Sequence, residues 1–197
     1  MLAGQALLSV GTVVDQVFAA HIGAGSIATL SYANRIVALV LGLGATVVSR
    51  ATLPVFSQAH AKGSPRVSRM AMHWAQLLFG LGVAALIVSW WLAPMGVRIL
   101  FERGAFTARD TQAVAEVLRY ALFQVPFFFS GLVFVSFISS KHNYNSLAVC
   151  GFLGLVVKLI SNAVLVPWMA LNGLVLANAV TYGCNTVLLG VMAKRIR

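Results

Sequence analysis

Among the polar side chains that stand inside long, mostly apolar stretches, five pose the chemical question: Asp15, Asn34, Arg35, Lys158 and Asn178. An ionised group at bilayer depth costs about 2.5–3.5 kcal/mol on insertion scales, so it turns towards a partner, a cavity or water. Arg35 follows Asn34 in Ser31-Tyr32-Ala33-Asn34-Arg35, a few residues inside its apolar stretch. A guanidinium there is a rigid fork of donors that matches phosphate or diphosphate bidentately. So close to the interface, it could equally snorkel to lipid headgroups. Lys158 lies near the middle of Leu147–Trp168, too deep for easy snorkelling. It is expected to face the bundle interior near Asn162, one turn on. There it is either a second cation for an anionic substrate or the structural partner of Asp15 or an amide.

Asp15 sits beside Gln16 towards the outer end of the first stretch. It could pair with Arg35 across a short hairpin turned by Gly23 and Gly25, or hold a coupling cation or proton. Asn178 and Asn185 are seven residues apart and share a helix face. Such amides mostly join helices, at about 0.6 kcal/mol each, and contact with a substrate is the rarer use. No catalytic constellation accompanies these groups: there is no phosphate-binding lysine loop, no carboxylate pair and no Ser/His/Asp arrangement. His21, His60, His73 and His142 lie near interfaces rather than at ligand spacing, and Cys150 and Cys184 sit in apolar runs as packing residues. No cofactor is implied.

The elements that must position these residues are membrane helices. Hydrophobic residues make up 60% of the 197 and charged ones 9%, against about 25% charged in soluble domains. Mean hydropathy is +0.91. About 20 apolar residues in a helix span the hydrocarbon core. Six stretches meet that length: Leu2–Ala20, Ser31–Phe56, Ala71–Met95, Ala113–Ser140, Leu147–Trp168 and Leu171–Ala193. Pro126, beside Phe127-Phe128-Phe129, is expected to kink the fourth. Of the two longer links, Ser57–Met70 is basic, and Gly96–Gln112 is expected to form a short interfacial helix. The first stretch has no basic n-region and no small-residue cleavage site, so it does not read as a signal peptide. The chain reads as starting partway through something larger.

The net charge of +10 is spread over helix ends rather than gathered in one basic face, which excludes a nucleic-acid surface and points to anionic lipid headgroups. With the N-terminus in the cytoplasm, Arg50, Lys62, Arg66, Arg69, Lys141, Lys194, Arg195 and Arg197 fall on the inner side. Arg98, Arg103, Arg109 and Arg119 fall outside. That asymmetry predicts both termini in the cytoplasm, with Trp90, Trp91 and Trp168 at outer helix ends and Trp74 at an inner one.

Residues 14–20, 23–35, 101–107 and 173–178, which contain Val14-Asp15-Gln16-Val17-Phe18, Tyr32-Ala33-Asn34-Arg35, Phe101-Glu102-Arg103-Gly104 and Gly173-Leu174-Val175-Leu176, together resemble the MurJ/MviN lipid II flippase family of the multidrug/oligosaccharidyl-lipid/polysaccharide exporter superfamily. Val14-Asp15-Gln16-Val17-Phe18-Ala19-Ala20 and Gly23 to Arg35 resemble its seventh and eighth helices. Phe101-Glu102-Arg103-Gly104-Ala105-Phe106-Thr107 is similar to its outer-loop FxRGxFT signature, and Gly173-Leu174-Val175-Leu176-Ala177-Asn178 to the start of its twelfth helix. The resemblance implies an all-α polytopic membrane protein in which residues 1–197 form one six-helix lobe of a two-lobe exporter. It implies a transporter, not an enzyme, in a bacterial inner membrane. The substrate would be an undecaprenyl-pyrophosphate-linked peptidoglycan precursor, moved by alternating access. Arg35 would contact the pyrophosphate, with Lys158, Asn34, Asp15 and Asn178 as further substrate-binding candidates. A six-helix N-terminal lobe or a second copy would complete the cavity. The chain departs from the family at Asn34, where many members carry an acid, and at Lys141-His142-Asn143-Tyr144-Asn145-Ser146, which replaces the usual Arg-x-Asp-x-x-Thr-Pro. The family's N-lobe is absent, as is its final helix pair. Export of another polyprenyl-linked glycan, or a half that does not transport alone, are the rival readings.

Overall fold

The computed structural model describes residues 2–61, 67–141 and 143–195. Lys62, Arg66, His142 and Arg197 lie outside the described residues. The rest is helical: α1 (Leu2–Ile22), α2 (Ser26–Ala61), α3 (Val67–Phe101), α4 (Ala108–Leu122), α5 (Gln124–Ser140) and α6 (Tyr144–Arg195). Four helical stretches are long and apolar enough to cross a membrane: Ser26–Phe56, Val67–Phe101, Ala108–Ser140 and Tyr144–Lys194; Val10–Ile22 is shorter. With 35 or 36 residues each, α2 and α3 run about 50 Å and project beyond a hydrocarbon core of about 30 Å.

The near-continuous α4–α5 rod is the centre of the bundle. In its most apolar window 67% of residues are buried, against 11–24% in the other three stretches. It packs against α2, α3 and α6. Two apolar cores stack along it. One joins Ala19, Leu30, Val37, Val97, Leu118 and Leu174; the other joins Phe56, Ala71, Val133, Phe137, Cys150 and Leu189. The outer surfaces of α2, α3 and α6 stay apolar, with Leu43 71%, Trp91 78% and Trp168 86% exposed. In a bilayer such surfaces face lipid at no cost.

One expectation about segments needs correcting, and a second, the kink at Pro126, is met. The Gly96–Gln112 link holds no separate interfacial helix: α3 runs on to Phe101, a loop follows, and α4 begins at Ala108. Gly104 at φ 63° turns the chain there, a conformation open to glycine without a Cβ clash. Thr107 then caps α4 in a reciprocal box with Asp110, satisfying two amides at the new N-terminus. The fourth span is also two helices. The break falls at Phe123, whose N–H reaches back to the Tyr120 carbonyl at 3.3 Å, because Pro126 has no N–H to offer the Leu122 carbonyl. Gly82 of α3 lies so close to the Pro126 backbone that a Cβ there would sit 2.6 Å from Pro126 Cα.

The two final apolar stretches form the arms of α6. The chain folds back at Ala170, with φ 48° and ψ −125°. Cys150 Sγ, on one arm, lies 3.4 Å from Met192 Sδ on the other. Gly154 faces Asn185 across the same seam, where a Cβ would strike the amide. Small residues let the arms approach, as in close-packed membrane helices.

Candidate functional site: a neutralised polar cluster and an open arginine

On α1, Gly11, Asp15 and Ala19 are four residues apart and all buried, so they form one stripe, pressed against the two arms of α6. Lys158, on the first arm, lies some 12 residues before the Ala170 fold, about 18 Å along a helix. Its Nζ sits 2.8 Å from Asp15 Oδ2 and donates to Asn178 Oδ1 on the second arm at 2.8 Å. The Asn178 amide donates in turn to Asp15 Oδ2 at 3.3 Å. Asn162, one turn from Lys158 and fully buried, donates to Asp15 Oδ1 at 3.4 Å. The missing side chain of Gly11 leaves the ammonium room, since a Cβ there would already touch Nζ at 3.5 Å.

This cluster ties three helical segments together with no net charge. Asp15 and Lys158 side chains are only 8% and 12% exposed. A pair so dry holds because the Asn178 and Asn162 amides add hydrogen bonds to it, although Asn162 Oδ1 is itself buried without a partner. The place beside Asp15 where a coupling cation would sit is filled by the Lys158 ammonium. The pairing of Asp15 with Arg35 is not formed. Asp15 faces α6, whereas Arg35 lies on an exposed part of α2. Lys158 is paired with Asp15 and with the Asn178 amide.

Arg35 stands free of carboxylates among the described residues. Its guanidinium carbon lies 5.4 Å from the centre of the Tyr32 ring, close enough for cation–π attraction. Asn34 is exposed beside it. Tyr32 itself is gripped by the end of α3 and the loop after it: the rings of Phe101 and Phe106 meet it edge-on at 4.9 and 5.0 Å. Sequence reasoning had quoted Tyr32, Phe101 and Phe106 only as parts of motifs. Their joint packing depends on α3 returning to the start of α2, which no local pattern reveals. The role of Gly11 was also missed, although its four-residue offset from Asp15 places it on the same face.

Thus three of the five candidate residues, Asp15, Lys158 and Asn178, come together in one cluster, and Arg35 and Asn34 lie outside it. Among the described residues no group of three or more His, Cys, Asp or Glu could hold a metal ion.

Comparison with known proteins bears on the family and the fold. A probable lipid II flippase MurJ of Bdellovibrio bacteriovorus is 28% identical over 195 residues, covering 98% of this chain and 37% of its own. One from Rhizobium tropici is 30% identical, covering 87% of this chain and 32% of its own. The chain therefore spans about a third of the length of these relatives. Among solved structures, a lipid II flippase MurJ in an inward closed conformation superposes with a TM-score of 0.85 at 21% identity, over 97% of this chain and 41% of the other. A transporter of the MOP superfamily from Pyrococcus furiosus superposes at 0.77 with 16% identity, over the whole chain and 43% of the other. At these identities the two superpositions speak for the fold. The sequence profile of the lipid II flippase MurJ family matches residues 1–197, and on that match the chain belongs to this family.

Proposed function

We infer that this chain is one lobe of a flippase that carries a polyprenyl-diphosphate-linked glycan, lipid II in the family's case, across a bacterial inner membrane. In this reading all six helical rods cross the bilayer, both termini are cytoplasmic, and no covalent chemistry is done on the substrate. The supporting observation is Arg35: an uncompensated guanidinium on an exposed helix face, in a chain whose other deep cation is neutralised. An anion arriving from the lobe's open side meets Arg35 first, and the fork geometry favours a diphosphate. Asn34, exposed beside it, adds a neutral hydrogen-bonding group. Asp15, Lys158 and Asn178 act one step back, holding α1 to α6 so that α2 keeps its place. The relatives' greater length supports a partner, either an N-terminal lobe or a second copy, rocking against this one about a central site. Anionic lipids bind the basic helix ends.

A cation-binding exporter would need a free carboxylate in its cavity, and Asp15 is already paired. The test is binding of undecaprenyl diphosphate to the purified chain in nanodiscs, followed by native mass spectrometry. Arg35→Ala is expected to weaken binding about 10- to 100-fold, the loss of a charge-assisted bidentate contact. The double change Asp15→Leu with Lys158→Leu, which removes both charges together, is expected to leave affinity within about twofold. Dependence on Lys158 with indifference to Arg35 would reverse the assignment.

A further inference from the structure

We propose that a groove on the flank of α3 binds one anionic glycerophospholipid, with its phosphate on Arg69 and an acyl chain against Trp74 and Leu77. The proposal rests on placing the bundle in a bilayer and not on Arg35 or on transport. The groove has a volume of about 330 Å³ and is lined, among the described residues, by Arg69, Met70, His73, Trp74 and Leu77. That volume lies near the lower end of the range of about 300–1,000 Å³ usual for small-molecule sites. The lining is almost wholly apolar although Arg69 and His73 contribute to it, so their stems form the wall and their polar ends lie at its edge. Such a wall suits a hydrocarbon chain and gives a sugar or a free phosphate little to hold.

The order of these residues along the helix is the order of the parts of a phospholipid. Positions 69, 70, 73, 74 and 77 recur at the three- and four-residue spacing of a single helix face. His73 and Trp74 lie about 6 and 7.5 Å along the axis from Arg69, and Leu77 about 12 Å. A cation thus stands outermost, near the start of α3 at Val67. An imidazole and an indole follow at the depth of the lipid esters, and an aliphatic side chain comes last. An indole, apolar with one polar edge, is favoured at that boundary. Val67, Ala71 and Ala75 turn the other way, into the core, while Leu77 is 54% exposed, so the groove opens away from the bundle.

The anion has to come from outside the chain. Arg69 is exposed, and the four acids of the chain are engaged elsewhere: Asp15 with Lys158, Glu102 with Thr111, Asp110 with Thr107 and Glu116 with Asn172. Neither α2 nor α3 carries a carboxylate. A lipid phosphate supplies the missing charge, and a guanidinium grips it with two parallel N–H bonds. The charge asymmetry assigns this end of the bundle to the cytoplasm, so the ligand comes from the inner leaflet.

The experiment reads the quenching of Trp74 fluorescence in nanodiscs. Trp90→Phe, Trp91→Phe and Trp168→Phe together leave Trp74 as the sole indole. Two lipids brominated near the head of the acyl chain are compared at equal mole fraction: phosphatidylglycerol, a monoanion, and phosphatidylcholine, whose own ammonium cancels its phosphate. Phosphatidylglycerol is expected to occupy the site about fivefold more strongly, the ratio for one basic side chain at a charged surface. Arg69→Gln is expected to abolish that preference. Lys194→Gln removes the same charge from the same end of the bundle, where Ala193 shares a core with Val67, and is expected to leave the preference unchanged. Circular dichroism verifies that each variant keeps its helices. Glycerol phosphate, the soluble headgroup anion, is expected not to relieve the quenching; relief would show a site for a free anion and overturn the lipid. Equal quenching by the two lipids would overturn the site and leave α3 in the bilayer. A preference that survives Arg69→Gln, or that Lys194→Gln removes equally, would also overturn it, because the attraction would then belong to the charge of the whole chain. Absence of quenching by either lipid would overturn the site and the placing of α3 in the bilayer together.

Discussion

At the residue scale, the two cations Lys158 and Arg35 have different fates because they have different neighbours. Lys158 meets Asp15 and the Asn178 amide; Arg35 meets an aromatic ring. Removing one member of the dry pair strands the other charge, so Asp15→Asn alone is expected to destabilise the fold by about 3–5 kcal/mol. The double change Asp15→Leu with Lys158→Leu is expected to cost far less than the sum of the single changes. Thermal unfolding in detergent across the four-member cycle measures the difference, and additive losses would show the pair to be uncoupled. The candidates themselves were legible in the sequence, since charges in apolar runs are costly and therefore conspicuous. Their pairing was legible only as one option among several. Asp15 and Lys158 are 143 residues apart, and only the fold-back at Ala170 brings Asn178 to the same ammonium. Arg35→Lys tests the same scale from the other side. Lysine keeps the charge and loses the fork, so affinity for undecaprenyl diphosphate is expected to fall about tenfold.

At the element scale, helix positions were read well and helix ends poorly. Apolar length marks a span, but the Gly96–Gln112 link mixes charges with Phe101 and Phe106, and its course is decided by Gly104 and the Thr107 cap. The break near Pro126 was foreseen from the missing donor; its position at Phe123 depends on how α3 approaches at Gly82. That approach gives a paired prediction. Gly82→Ala is expected to cost about 1–3 kcal/mol through overpacking against the Pro126 backbone. Gly42→Ala, with nothing within 4 Å of the new methyl, is expected to be neutral or to gain up to about 1 kcal/mol in helix propensity. Melting temperatures of the two variants are compared directly, and an equal effect would contradict the close α3–α5 crossing. Thr107→Ala is expected to cost about 1 kcal/mol by unmaking the cap of α4, with a matching loss of protection of the first α4 amides in hydrogen exchange.

At the scale of the whole molecule, the chain is a bundle with a buried central rod and apolar outer helices, one of whose exposed faces carries Arg35. The class of fold was legible from composition alone, because 60% hydrophobic content leaves few alternatives. The open face was not, because exposure depends on which helices cover α2. In the proposed mechanism a partner lobe closes that face, and the Asp15–Lys158 cluster keeps this lobe rigid while the two rock. The most direct test is rescue of cells depleted of their lipid II flippase. The chain is expressed alone and beside a separate six-helix N-lobe, each with Arg35 or with Arg35→Ala, at matched membrane levels. Growth restored only with the N-lobe, and lost with Arg35→Ala, is the predicted result. Growth restored equally by the Arg35→Ala chain, or none with either chain at normal membrane levels, would contradict it.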